Sequence, residues 1–258
     1  MEQPVLAEVR DGVGVITLNR PDKFNCITPG LANGLHDAIV RFEADRAVRA
    51  VLLRGAGKTF CSGADLEEVD KARRDKEALR VFVERGIPVL GRLERSRLPV
   101  ICAVHGHCLA GGLEIMMACD VIFAAASARI GDQHSGYGLI PGWGGTQRLP
   151  RIVGLRRSLD LMFSARWLTA QEALDWGLAN YVVADDALFD EAFAYAAMLA
   201  KKNPDGLAAM KRLARQGLER SLDDGVRLEV EDVVDSLRGP NVEEGIAAFR
   251  ARREPNFR

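Results

Sequence analysis

Pro99-Val100-Ile101-Cys102-Ala103-Val104 runs into His105-Gly106-His107-Cys108-Leu109-Ala110-Gly111-Gly112 and then into Leu113-Glu114-Ile115-Met116-Met117-Ala118. The first block is a short apolar run with the character of a buried strand, and the last opens a helix. A strand feeding a glycine pair at a helix start exposes unpaired main-chain amides along the positive end of the helix dipole. Such amides suit a developing negative charge, and one preorganised donor is worth about 2.7–4 kcal/mol in a transition state. Glu114 falls on the first turn beside them. Its carboxylate there can act as a general base or hold a water; the plainer reading is that it complements the helix dipole. The stretch is not a P-loop, since no Gly-Lys-Ser/Thr follows, and G-x-G-x-x-G is absent.

Two further stretches point to a ligand. Phe60-Cys61-Ser62-Gly63-Ala64-Asp65 follows a strand pattern at Ala50–Leu53. The small residues 62 to 64 leave the main chain open to close approach, and Asp65 suits the N-cap of a following helix. An ordinary loop feeding a helix would look similar. Downstream, Ile130-Gly131-Asp132-Gln133-His134-Ser135-Gly136 begins a glycine-rich loop that runs through Gly142-Trp143-Gly144-Gly145 to a helix. Loops of this kind often line pockets, which makes His134 a candidate functional side chain.

Outward from these stretches, Val5–Arg10 and Val13–Leu18 flank Asp11-Gly12 and read as a hairpin. Strands are expected at Ala50–Leu53, Val100–Val104 and Val121–Ala124, with helical patterns at Leu31–Ala44, Leu66–Leu93 and Leu113–Ala118 between them. This alternation indicates an α/β arrangement with parallel pairing. After about residue 143 the texture turns helical, interrupted by short strand patterns at Ala128–Ile130, just before that point, and Tyr181–Val183. The expected division is a core over residues 1–200 and a helical C-terminal region over 201–258.

The 258 residues are 48% apolar and 28% charged, with a net charge of −1. These are globular proportions without a global bias toward nucleic acid or an anionic membrane. The five cysteines, at 26, 61, 102, 108 and 119, have no metal-ligand spacing. Their odd number and the polar stretch Met1–Arg10, unlike a secretory leader, lead us to expect reduced thiols and a cytoplasmic setting. No apolar run approaches the ~18 residues of a membrane span.

Taken together, Asn19-Arg20-Pro21-Asp22-Lys23-Phe24-Asn25, Phe60–Asp65, Pro99–Asp120, Gly142–Leu149 and the terminal Ala248–Phe257 resemble the crotonase superfamily, the enoyl-CoA hydratase/isomerase family. The resemblance spans nearly the whole chain, with several motifs in order. It implies a spiral of β-β-α turns with a helical C-terminal trimerisation region, trimers often pairing as hexamers, and an acyl-CoA thioester as substrate. No metal or redox cofactor is implied; coenzyme A enters as part of the thioester. By position, Ala64 and Gly111 match the two amides of the family's oxyanion hole, and Glu114 matches the first of the hydratase's two catalytic glutamates. Phe24, Asn25 and Cys26, with Ser62, Gly63 and Asp65, fall where the family cradles the coenzyme A arm. Phe249 and Arg252 match C-terminal positions that reach the nucleotide end.

The chain departs from the pattern at one point: the second glutamate's position is occupied by His134, and the nearby carboxylate is Asp132. An imidazole with a pKa near ~6.5 can donate or accept a proton at neutral pH. A Glu114–His134 pair is therefore compatible with hydration and dehydration of an enoyl-CoA. Thioester hydrolysis or C–C cleavage with His134 as base is the alternative, and isomerase, dehalogenase or decarboxylase specialists share the same oxyanion site. An RNA-binding relative uses a lysine-rich helix face. Here Lys71 and Lys76 are interleaved with Glu67, Glu68, Asp70, Asp75, Glu77 and Glu84, a pattern of a solvated face.

Overall fold

A computed structural model describes residues 3–257; Met1 and Glu2, which the reading of a leader-free terminus included, lie outside them, as does Arg258. The chain opens with β1 (Val5–Arg10) and β2 (Val13–Leu18), paired antiparallel from Val5–Leu18 to Arg10–Val13. Asp11 and Gly12 both have positive φ, as a two-residue turn of the primed type requires. Thr28 caps α1 (Pro29–Ala44), whose Leu31, Leu35, Ile39 and Phe42 are buried at helical spacing. Then come β3 (Ala50–Gly55), the short helices α2 (Leu66–Ala72), α3 (Lys76–Glu84) and α4 (Gly86–Arg95), β4 (Val100–Val104), β5 (His107–Leu109) and α5 (Gly111–Met117). β6 (Val121–Ala125) and β7 (Arg129–Gly131) are followed by a 3-10 turn at His134–Tyr137, α6 (Gly145–Val153) and α7 (Leu155–Ser164). β8 (Leu168–Thr169), α8 (Ala170–Asp175), β9 (Tyr181–Val183) and α9 (Leu188–Ala200) complete the core, and α10 (Pro204–Gly217), α11 (Leu222–Ser236) and α12 (Pro240–Ala251) end the chain.

The strands lie in two layers. A six-stranded sheet has the order β1-β2-β3-β4-β6-β9, parallel throughout except for the first hairpin. A smaller sheet has the order β5-β7-β8 and is prolonged by parallel bridges Cys61–Cys108 and Ile27–Ala64. The chain visits the layers alternately: β2 then Ile27, β3 then Cys61–Ala64, β4 then β5, β6 then β7. A helix, or for β7 the 3-10 turn, follows each visit to the second layer. Each pass is one β-β-α turn of a spiral, as expected. Strands buried on both faces explain the continuous apolar runs of β3 and β4.

Local structure differs from expectation in two places. The pattern at Leu66–Leu93 breaks into three helices because Asp75 turns back to accept the Ala78 N–H and start α3, and Gly86 and Pro88 start α4. β5 and β8, His-Cys-Leu and Leu-Thr, carry no β-branched apolar run of their own, and their pairing is supplied by β7. Among the described residues no helix is long and apolar enough to cross a membrane.

The corner between the two layers in the β4–β5 pass depends on Gly106. It has φ +55°, and a Cβ there would overlap the main-chain carbonyl of Lys58, which cannot swing aside. Gly106→Ala should therefore lose about 2–4 kcal/mol of stability. A urea unfolding midpoint unchanged from the parent protein would contradict this.

Candidate active site

Successive turns of the spiral bring the sequence motifs together at the ends of the second layer. In the Ile27–Ala64 bridge the bonds run from Ile27 N–H to Gly63 O (2.7 Å) and from Asp65 N–H to Ile27 O (3.0 Å). A parallel bridge uses the residues flanking Ala64, so its own N–H points away from Ile27. Gly111 is the first residue of α5, where an N–H has no intrahelical acceptor. Neither amide donates to another group among the described residues. Their main chains are in contact: a Cβ on Gly111 would lie 3.7 Å from the Ala64 nitrogen, and one on Gly63 would lie 3.3 Å from the Gly111 nitrogen. Gly63 takes φ +100°, and a Cβ there would meet the Ala110 Cβ at 2.8 Å. Side chains at 63 or 111 would separate the two segments. Ala110 itself has φ 50° and ψ −116°, strained for a residue with a Cβ, and its N–H is tied to Gly131 O at 2.9 Å.

Glu114 sits one turn into α5 with 2% exposure. Its Oε1 accepts from the Trp143 N–H at 2.8 Å and from the Gly145 N–H at 2.7 Å; Oε2 accepts no hydrogen bond among the described residues. Burial pushes its pKa up, opposed by the Gly145 N–H, the nearby His134 and the Trp143 N–H. Gly145 has to be glycine, because a Cβ would fall 2.9 Å from Pro141 Cβ and 3.1 Å from Glu114 Oε1.

His134 opens the 3-10 turn after β7. Asp132, itself 1% exposed, accepts through Oδ1 from the His134 backbone N–H at 3.2 Å and pairs with the ring Nδ1 at 3.0 Å. A carboxylate at Nδ1 keeps the proton there and leaves Nε2 for other work. His134 and Asp132 both act on Glu114 through their charges, so the three groups share one electrostatic neighbourhood. Asp132 stood in the sequence as a neighbouring carboxylate of no assigned role; the Asp-x-His spacing was the signal that it backs the histidine.

The remaining site residues fall into two places. Phe24, with φ 51°, exposes its ring, while Asn25 is fully buried. The Asn25 side chain donates to Ala56 O (2.9 Å) and Thr59 O (2.7 Å) and accepts from the Arg20 N–H (2.8 Å), so it is consumed in holding the loop. Ser62 N–H donates to Phe24 O at 3.1 Å, joining the two loops. Cys26 lies between Arg20 Nη1 (3.0 Å) and Asp65 Oδ2 (3.3 Å), and burial with the Asp65 hydrogen bond raises its thiol to about 11. Asp65 caps α2 as expected, accepting from Glu67 N–H at 3.1 Å. Phe249, 85% exposed, and Arg252, the left-handed cap of α12, stand apart: no described contact joins them to these loops. The Trp143 indole packs on α4, where a Cβ on Gly86 would overlap it.

The chain has relatives of known family. A model of the enoyl-CoA hydratase/isomerase family matches residues 8–258. A probable enoyl-CoA hydratase of Bacillus subtilis is 34% identical over 95% of both chains. The 1,2-epoxyphenylacetyl-CoA isomerase of Escherichia coli is 35% identical over 100% of this chain and 99% of its own. The crystal structure of an enoyl-CoA hydratase from Bacillus anthracis superposes with a TM-score of 0.94 at 33% identity, covering 99% of each chain. The chain is an enzyme of the enoyl-CoA hydratase/isomerase family, with the crotonase fold.

Burial of Glu114 has a thermodynamic consequence. Its folded pKa exceeds the unfolded value, so the folded state binds the extra proton and loses stability as pH rises from about 4.3 through the folded pKa. Glu114→Gln mimics the protonated form. It should match the parent near pH 4 and unfold at higher temperature than the parent above neutrality, measured by thermal melts across pH. A pH-independent difference would contradict the burial argument.

Proposed function

We propose that the chain interconverts an enoyl-CoA thioester and its hydrated product through an enolate. The observation that carries this reading is Glu114, buried on the first turn of the helix that Gly111 begins, with one oxygen pinned and the other unpartnered among the described residues. The thioester carbonyl accepts from the Ala64 and Gly111 N–H groups. A water held at Oε2 loses a proton to Glu114 as its oxygen bonds to C3; the π electrons move through C2 onto the carbonyl oxygen. His134, protonated at Nε2 and steadied by Asp132, then delivers a proton to C2, and the proton on Glu114 returns to the imidazole through solvent. Coenzyme A enters only as the thioester's handle, cradled by Phe24, Cys26 and Ser62–Asp65, with Phe249 and Arg252 reaching its nucleotide from a neighbouring subunit.

A homotrimer or a pair of trimers follows from the same reading. Leu218, Leu222, Val226, Val230, Val233 and Leu237 form an exposed apolar stripe along α11 and its approach, which supports an interface between copies. On α2, α3 and the turn between them, Lys71 pairs with Glu68, Arg73 and Arg74 with Asp70, and Arg80 with Glu77 and Glu84. That supports an acyl-CoA ligand over RNA.

The Asp132–His134 pair favours one second reading, in which His134 is a base that drives water onto the thioester carbonyl itself. A panel of saturated and 2,3-unsaturated acyl-CoA thioesters separates the two. Loss of enoyl absorbance with the thioester intact is the expected result, and release of free thiol would transfer the assignment to hydrolysis. Glu114→Gln and His134→Ala should each lower kcat by about 10²–10⁴-fold. Unchanged turnover in either would remove that residue from the mechanism.

A further inference from the structure

The segment that holds Glu114 is itself held from the other side. Trp143 donates its N–H to Glu114 and offers its carbonyl to Arg148 Nη1 at 2.7 Å. Arg148 lies flat against Glu94, with Nε to Oε1 at 2.6 Å and Nη2 to Oε2 at 2.9 Å. A bidentate pair of this kind fixes the plane of the guanidinium as well as its place. Glu94 is on α4, the helix whose Gly86 receives the Trp143 indole, so one helix grips the segment at two points two turns apart. Gly144, with φ +94°, lets the guanidinium pass over the main chain, since a Cβ there would overlap it.

From this geometry we infer that Arg148 and Glu94 are positioning residues for the active-site carboxylate. Held by Glu94, Arg148 fixes the Trp143 carbonyl and so aims the Trp143 and Gly145 N–H groups at Glu114 Oε1, leaving Oε2 directed to the reacting water. The inference rests on the reading of Glu114 as the base. Ionisable groups acting on Glu114 come from two sides: His134 and Asp132 from the segment after β7, and Arg148 from α6. Arg148→Lys keeps the charge and removes the planar fork, so it tests geometry without changing the charge count. With the segment loosened, the two N–H groups hold Oε1 less well and the Glu114 carboxyl should titrate higher.

The experiment is a titration of the side-chain carboxyl carbons in protein labelled at glutamate, with Glu114→Gln identifying the resonance. In Arg148→Lys and in the milder Glu94→Gln, the Glu114 titration should move up by roughly one pH unit, the size of one lost charge-assisted hydrogen bond. The two changes together should move it no further than either alone, as members of one unit do. With crotonyl-CoA, kcat should fall about 10–100-fold while KM stays within about twofold. A Glu114 titration unmoved in both variants, even with lower thermal stability, would overturn the inference and leave the pair as scaffold. If the titration moves but Glu114→Gln turns over every thioester normally, positioning stands and the role of Glu114 as base falls.

Discussion

A carboxylate taken almost wholly out of water, with both of its hydrogen bonds on one oxygen, is the arrangement on which this site depends. Removing a charge of this size from solvent costs several kcal/mol even after the protein relaxes. Two main-chain N–H groups on Glu114 Oε1 offset part of that cost and leave Oε2 without a partner of its own. Had the two donors been shared between the oxygens, the group would be a satisfied structural acid. Concentrating them on Oε1 keeps the group ionisable and leaves one lone-pair face unspent. Side-chain donors would have to be ordered at an entropic cost; amides from the rigid start of α6 are ordered already.

The spiral makes this economical. Each pass ends its second-layer strand and, in the two passes that matter here, starts a helix, so comparable segments of adjacent passes stack. Ala64 precedes α2 and Gly111 begins α5, and their main chains touch because Gly63 and Gly111 carry no side chains. Two amides from segments nearly fifty residues apart thus become neighbours by the repeat of the fold. Strain at Ala110 is the local mark of that close approach, tolerated because its N–H and the β5–β7 pairing hold it in place.

What could be read in the sequence follows the range of the forces involved. The first hairpin was legible because Asp11-Gly12 and the flanking apolar runs act over a dozen residues, and β4, β9 and the C-terminal helices were legible for similar local reasons. The turns that carry Ala64, Gly111 and Glu114 were visible because glycine, strand and helix start lie next to each other, while the choice of those two amides came from the resemblance. Arg148 with Glu94, and the indole on Gly86, are contacts between residues more than fifty apart, and no local pattern announces them. Asn25 shows the opposite case. The resemblance put it among the positions that cradle coenzyme A, and its side chain turns inward to the Ala56 and Thr59 carbonyls.

Placing histidine where the resemblance led us to expect a second glutamate changes the site's electrostatics. Two facing carboxylates raise each other's pKa by like-charge repulsion, so one of them is readily kept as the proton donor. Opposite Glu114 stand an imidazole and, behind it, a buried carboxylate. The imidazole, when charged, favours the ionised form of Glu114, while the negative charge of Asp132 works against it. Among the described residues Asp132 spends Oδ1 on the histidine alone, through both its backbone and its ring, and its other oxygen is buried without a partner. In the hydration proposed above, a proton that leaves His134 turns an imidazolium into a neutral ring. Such a transfer to an enolate creates no second negative charge beside Glu114.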